Sequence, residues 1–168
     1  MELILDGYNL IGADRGLVGA LEHKRNRLVQ QLARYQKIKG FGLTVVFDGW
    51  RSGTGNEVRE KKDGVAVIYS RLGERADSVI VRIARENGSG CVIVTSDREI
   101  RSAVERFGAV AISAGDFNRI LRSLEQGPAQ DGFDEFDEAE TGASKSGNPN
   151  RLSKAERRRN EKLRKLKL

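Results

Sequence analysis

The sequence predicts an α/β fold: a three-layer sandwich with a mostly parallel central sheet of about five strands flanked by helices. Three observations predict it. Short runs rich in Val and Ile, often bounded by glycine, alternate with longer segments of helical spacing. The runs are apolar at nearly every residue, as in strands buried on both faces of a sheet. Strand followed by helix, repeated along the chain, implies right-handed crossovers and parallel neighbours.

The elements follow in order. ELILD (2–6) is the first strand; it ends on Asp6, and the chain then turns polar at Gly7, Tyr8 and Asn9. Residues 17–38 place Leu21, Leu28, Leu32 and Tyr35 at helical spacing. GLTVVFD (42–48) is the second strand, and GWRSGTGNEVREKKDG after it reads as a glycine-rich basic loop. GVAVIYS (64–70) is the third strand, followed by a helix over 76–86 with Ala76, Val79, Ile80, Ile83 and Ala84 on one face. GCVIVTS (90–96) and the short GAVAIS (108–113) complete the strands, with helices over 98–107 and 116–124. The folded domain is expected to span residues 1–127. DGFDEFDEAE and the small, polar residues after it form an acidic and polar linker, 128–150. The tail, 151–168, holds nine Lys or Arg against Glu156 and Glu161, and is expected to be frayed unless it docks as a helix on an anion.

Composition narrows the function classes. Lys and Arg exceed Asp and Glu by 30 to 24 in 168 residues, a formal +6 that favours an anionic partner such as nucleic acid. No apolar stretch approaches the roughly 18 residues of a spanning helix, and the N-terminus lacks a signal-peptide pattern, so a cytoplasmic protein is expected. Cys91 is the single cysteine, which excludes an internal disulfide and a cysteine zinc cluster, and His23, the single histidine, lies in a stretch read as helix, which argues against a His-based metal site or a Ser-His-Asp triad.

Acids gather where a parallel sheet places its ligand crevice, at the carboxyl ends of the strands. Asp6 ends the first strand, Asp48 the second, and Asp97 follows the fourth, while Asp77 opens the helix after the third. Each alone has an ordinary explanation: a turn at Asp6, a turn dipeptide at Asp48–Gly49, helix caps or first-turn acids at Asp77 and Asp97. Four together repel one another unless a cation or proton compensates them. Oxygen donors without His or Cys point to Mg²⁺ or Mn²⁺, and such ions assist attack of water on a phosphodiester. A P-loop, GxxxxGK[ST], is absent, and no second acid stands two residues after Asp6, which argues against a receiver-like or nucleotide-phosphate site.

The ordered set LILDGYNLIG, TVVFDG, ERADSVI and VIVTSD resembles the NYN-domain family of PIN-like ribonucleases, most closely its YacP-like bacterial branch. The resemblance spans residues 2–126. It implies a PIN-like fold, a Mg²⁺ or Mn²⁺ site and endonucleolytic cleavage of RNA, with messenger RNA at the ribosome as the setting. Position by position, it implies catalytic and metal-binding roles for Asp6, Asp77 and Asp97, a metal-binding role for Asp48, and an orienting role for Asn9. Ser96 of TSD is placed to bond a ligand or phosphate oxygen. PIN-like nucleases often carry a further acid, and only Glu74 or Asp116 lies near in motif terms. A non-catalytic RNA-binding protein on the same fold is the alternative; the presence of all four aspartates counts against it.

Substrate contacts are expected from the basic loop. Trp50 can stack on an unpaired base, and Arg51, Arg59, Lys61 and Lys62 can neutralise phosphates, with Arg71 and Arg75 extending a positive rim. The ordinary reading is that Trp50 packs at the domain edge and the lysines are a solvated face. For the tail, RNA is favoured over a membrane surface because its apolar face is thin and lacks aromatics.

Overall fold

The computed structural model describes residues 1–49, 55–126 and 152–167. The elements are β1 (Glu2–Asp6), α1 (Gly7–Arg15), α2 (Leu21–Lys39), β2 (Gly42–Phe47), β3 (Val58–Lys62), β4 (Val65–Tyr69), α3 (Ala76–Asn87), β5 (Cys91–Val94), α4 (Arg98–Glu105), β6 (Val110–Ile112), α5 (Ala114–Gln126) and α6 (Lys154–Leu166). The sheet runs β3-β4-β2-β1-β5-β6, and every pairing is parallel except β3 with β4. In register, Leu3 lies between Leu43 and Val92, and Leu5 between Val45 and Val94.

Alternation along the strands builds two cores. Leu3, Leu5, Val45, Phe47, Val67 and Val94 face one way, against Leu10 of α1, Leu32 and Tyr35 of α2, and Phe117 of α5. Ile4, Val46, Ile68 and Ile93 face the other way, against Val79, Ile80 and Ile83 of α3 and Ile100 and Val104 of α4. Both faces are covered, which is why the strands read as continuous apolar runs. The expected three-layer α/β sandwich is the observed one.

Four details differ from the sequence reading. The basic stretch between the second and third strands is not wholly loop, because Val58–Lys62 forms β3 and the sheet has six strands among the described residues. Its hairpin turns on Asp63 (φ 51°) and Gly64 (φ 94°), a two-residue Asp-Gly turn whose positive dihedrals match strand twist. The strand pattern was hidden because Arg59 and Lys61 of an edge strand face solvent. The helix expected over 17–38 is α2, which begins only at Leu21, and a further helix that the sequence reading did not place, α1, begins directly after Asp6. The strands also stop short of their expected ends, β5 at Val94 and β6 at Ile112, leaving Thr95, Ser96 and Ser113 to make turns.

The fourth difference is the tail. Instead of fraying, Lys154–Leu166 is a helix closed by a capping box, Ser153 with Glu156, and docked on the domain. Leu163 and Leu166 are buried in the same core as Tyr35, whose hydroxyl donates to the Leu166 carbonyl at 3.0 Å. Arg159 donates to Asp116 at 2.8 Å, Arg158 to the Gly108 carbonyl at 3.1 Å, and Lys39 to the Lys167 carbonyl. Spaced three apart, the two leucines share one helical face, and α6 packs along β6, the edge strand. The linker expected over 128–150 lies outside the described residues.

Candidate active site

β2, β1 and β5 are adjacent and parallel, so their carboxyl ends share one edge. Asp6 sits at the end of β1, 7% exposed. Its Oδ1 accepts the Asn9 N–H at 3.0 Å, capping α1, and its Oδ2 accepts the Thr95 hydroxyl at 3.3 Å. Asp97 caps α4, with Oδ1 accepting the N–H groups of Glu99 at 2.7 Å and Ile100 at 3.3 Å. Asp48, just past β2, accepts the Ala76 N–H at 2.6 Å and so ties that strand to the head of α3. Asp77 lies in the first turn of α3 and pairs with Arg75 at 2.7 Å. The ordinary roles and the site roles therefore coincide, because an N-cap oxygen must stand where a strand hands over to a helix, and that is the crevice.

The remaining motif residues lock this edge. Asn9 Oδ1 accepts the Ser96 N–H at 3.0 Å, and the Ser96 hydroxyl accepts the Ala114 N–H at 3.1 Å, holding the start of α5. Ser96 is thus a structural bridge as well as an exposed hydroxyl. Thr95, fully buried, donates to Asp6 and accepts the Asp97 N–H at 3.1 Å, so one hydroxyl joins two of the aspartates. Sequence reasoning gave it no role, although it is the first letter of TSD. Two glycines permit the turns. A Cβ on Gly7 would lie 2.2 Å from the Phe47 ring, and one on Gly49 only 1.5 Å from the Ser70 carbonyl oxygen. Ser70, also overlooked, accepts the Gly49 N–H at 2.9 Å and donates to the Glu74 carbonyl at 2.6 Å.

Electrostatics record the crowding. Burial pushes the Asp6 carboxyl up to about 6; the Asn9 N–H pulls it down, and the Asp77 and Asp48 charges push it further up. Burial likewise raises Asp77, opposed by Arg75 and reinforced by Asp97 and Asp48. The four aspartates do not converge into a chelating cluster: among the described residues no three His, Cys, Asp or Glu side chains are grouped to hold a metal directly. A ring of hard oxygen donors with an uncompensated buried charge fits a hydrated Mg²⁺ or Mn²⁺, which takes one or two carboxylates and keeps its waters.

The other expected substrate residues divide. Trp50 and Arg51 lie outside the described residues. Arg71 and Arg75 flank the head of α3, with Arg71 pairing Glu74 at 3.4 Å and Arg75 pairing Asp77. Arg59 sits near the crevice end of β3, opposite Ile68, and pairs with Glu57 at 2.7 Å. Lys61 and Lys62 face Ala66 and Val65 at the start of β4, toward the opposite edge, and Lys62 pairs with Glu60 at 2.9 Å. The hairpin thus carries these two lysines away from the aspartates, where a closing loop would have brought them near. Neither candidate for a further acid is free: Glu74 pairs with Arg82 at 3.1 Å, and Asp116 with Arg159 and Arg119.

A parallel sheet with aspartates at the carboxyl ends of three neighbouring strands, and one at the head of the next helix, is the build of a nuclease-type α/β domain. The chain belongs to the YacP-like NYN domain family, whose profile matches residues 3–165 and so takes in α6 as well as the sheet. The uncharacterised protein YacP of Bacillus subtilis strain 168 is 31% identical over 131 residues, 74% of this chain and 76% of that protein. The crystal structure of Rae1 (YacP) from Bacillus subtilis superposes with a TM-score of 0.61 at 29% identity, covering 75% of this chain and 76% of that one. A tryptophan-to-leucine variant of it gives 0.60 at 30% identity over 74% and 77%. Family membership points to a nuclease-type, RNA-related function. Among the described residues no helix is long and apolar enough to cross a membrane.

Proposed function

We propose that the protein is a divalent-metal-dependent endoribonuclease that hydrolyses phosphodiester bonds in single-stranded RNA. Messenger RNA in the cytoplasm, at the ribosome, is the setting that the family resemblance implies. One observation carries the reading: Asp6, Asp48, Asp77 and Asp97 all stand at the carboxyl edge of the sheet, and Asp6 is buried there with its oxygens bonded only to neutral donors among the described residues.

The roles follow from the contacts. Asp6, Asp77 and Asp97 would hold a hydrated cation, one or two of them directly and the remainder through its waters, with Asp48 adding negative field while its Oδ1 secures α3. A bound Mg²⁺ or Mn²⁺ supplies charge neutralisation and Lewis acidity toward the phosphoryl group. Thr95 and Asn9 act as positioning residues, the first orienting Asp6 and the Asp97 turn together, the second tying α1 to the TSD turn. Arg71 and Arg75, at the rim, are placed to meet phosphates once substrate draws them from their carboxylate partners. The test is cleavage of a labelled single-stranded RNA by the wild type and by Asp97→Asn, each with Mn²⁺, Mg²⁺ or EDTA. Metal-dependent cutting lost in the variant is expected; equal cutting by the variant, or by the wild type in EDTA, overturns the reading.

A further inference from the structure

A dense positive charge lies at the opposite edge of the sheet from the aspartates. Residues 152–167 hold eight Lys or Arg against Glu156 and Glu161, so a net +6 sits on this one segment, equal to the formal charge of the whole chain. Both acids are engaged within the helix, Glu156 in the capping box and Glu161 with Lys165 at 2.7 Å. Lys154, Arg157 and Arg164 are exposed and have no ionic partner among the described residues. At spacings of three and seven they share one face of α6.

The helix is seated at the amino-terminal edge of the sheet. Lys162 approaches Met1, Arg158 bonds Gly108 just ahead of β6, and Lys167 meets Lys39 just ahead of β2. The aspartates stand at the other end of strands such as the five-residue β1, about 17 Å away at ~3.3 Å per residue. Arg34 and Lys37, exposed in the last turns of α2 beside the docked Leu166, continue the basic surface.

We propose that the outer face of α6, extended by Arg34 and Lys37, is a second RNA-docking surface that engages the phosphate backbone of structured RNA without reading sequence and is separate from the cleavage crevice. The inference rests on the RNA-directed reading of the domain and deepens it. An anionic polymer suits a row of unpaired cations. A lipid surface suits it poorly, because Leu163 and Leu166, the apolar side that an interfacial helix would insert, are buried in the core.

The triple variant Lys154→Gln, Arg157→Gln, Arg164→Gln tests this, since all three side chains point outward and the thermal midpoint should not move. Anisotropy of a labelled hairpin RNA is read in EDTA, from about 50 to 200 mM salt. The variant is expected to bind about tenfold more weakly at low salt, with the log–log salt slope reduced by about 2. An unchanged affinity and slope overturns the proposal. So does binding of wild type to phosphatidylserine vesicles with none to the hairpin. RNA bound through α6 but never cut with Mg²⁺ or Mn²⁺ upholds this surface and sinks the nuclease reading. A variant that cuts a short single strand normally and binds the hairpin as wild type does the reverse.

Discussion

Asp6→Asn should make the metal-free protein more stable at neutral pH while destroying its cation site. The native Asp6 carboxyl holds its proton up to about pH 6, whereas the ordinary value is 3.8. Between these values the native state binds more protons than the unfolded chain, so stability falls as pH rises through that window and levels above it. Two pKa units at about 1.4 kcal/mol each give a penalty of about 3 kcal/mol for ionised Asp6 at pH 8, and under 1 kcal/mol at pH 4. Asparagine removes the charge and keeps an oxygen for the Asn9 N–H. Its amide must face the Thr95 hydroxyl, which loses an acceptor at a cost of about 1 kcal/mol. The variant should therefore gain about 2 kcal/mol on the wild type between pH 4 and pH 8. Urea unfolding in EDTA at several pH values reads this directly, and added Mn²⁺ should stabilise only the wild type. A stability difference that does not change with pH would refute the claim that burial and neighbouring carboxylates load this residue.

Three further outcomes follow from the geometry. Thr95→Val should cost about 1–3 kcal/mol and depress cleavage, because two polar groups lose one shared hydroxyl; Thr95→Ser should restore both, in denaturation and in RNA cutting. Gly49→Ala should destabilise by more than about 3 kcal/mol, since its Cβ would collide with the Ser70 carbonyl; a thermal midpoint within a few degrees of wild type would contradict it. Truncation before Leu152 should cost about 3–6 kcal/mol by withdrawing two buried leucines, leaving Tyr35 without its hydrogen-bond acceptor. Denaturant midpoints measure that loss, so weaker RNA binding by such a truncation is no clean measure of α6 as a contact surface.

The acidic edge was legible because its aspartates follow apolar runs, and a run's end is a one-dimensional signal. Thr95 and Ser70 were not, because a hydroxyl in a strand end reads the same whether it bonds water or a carboxylate 89 residues away. The hairpin at Asp63–Gly64 had a sequence signal, a two-residue Asp-Gly turn, but the charges of β3 masked the strand.

The residues alone were enough for the five apolar strands and the helices that alternate with them, and so for the parallel sheet and the edge to which Asp6, Asp48 and Asp97 are delivered. These are local properties: apolar runs, helical spacing and turn chemistry act within a few residues. Tertiary structure alone decided the rest. It placed Lys61 and Lys62 away from the crevice, engaged Asp116 with Arg159, and turned the leucines of α6 inward so that its cations face out. Each of those outcomes depends on which surfaces meet across long stretches of chain, where packing of an amphipathic face outweighs the weak intrinsic preference of a short basic helix.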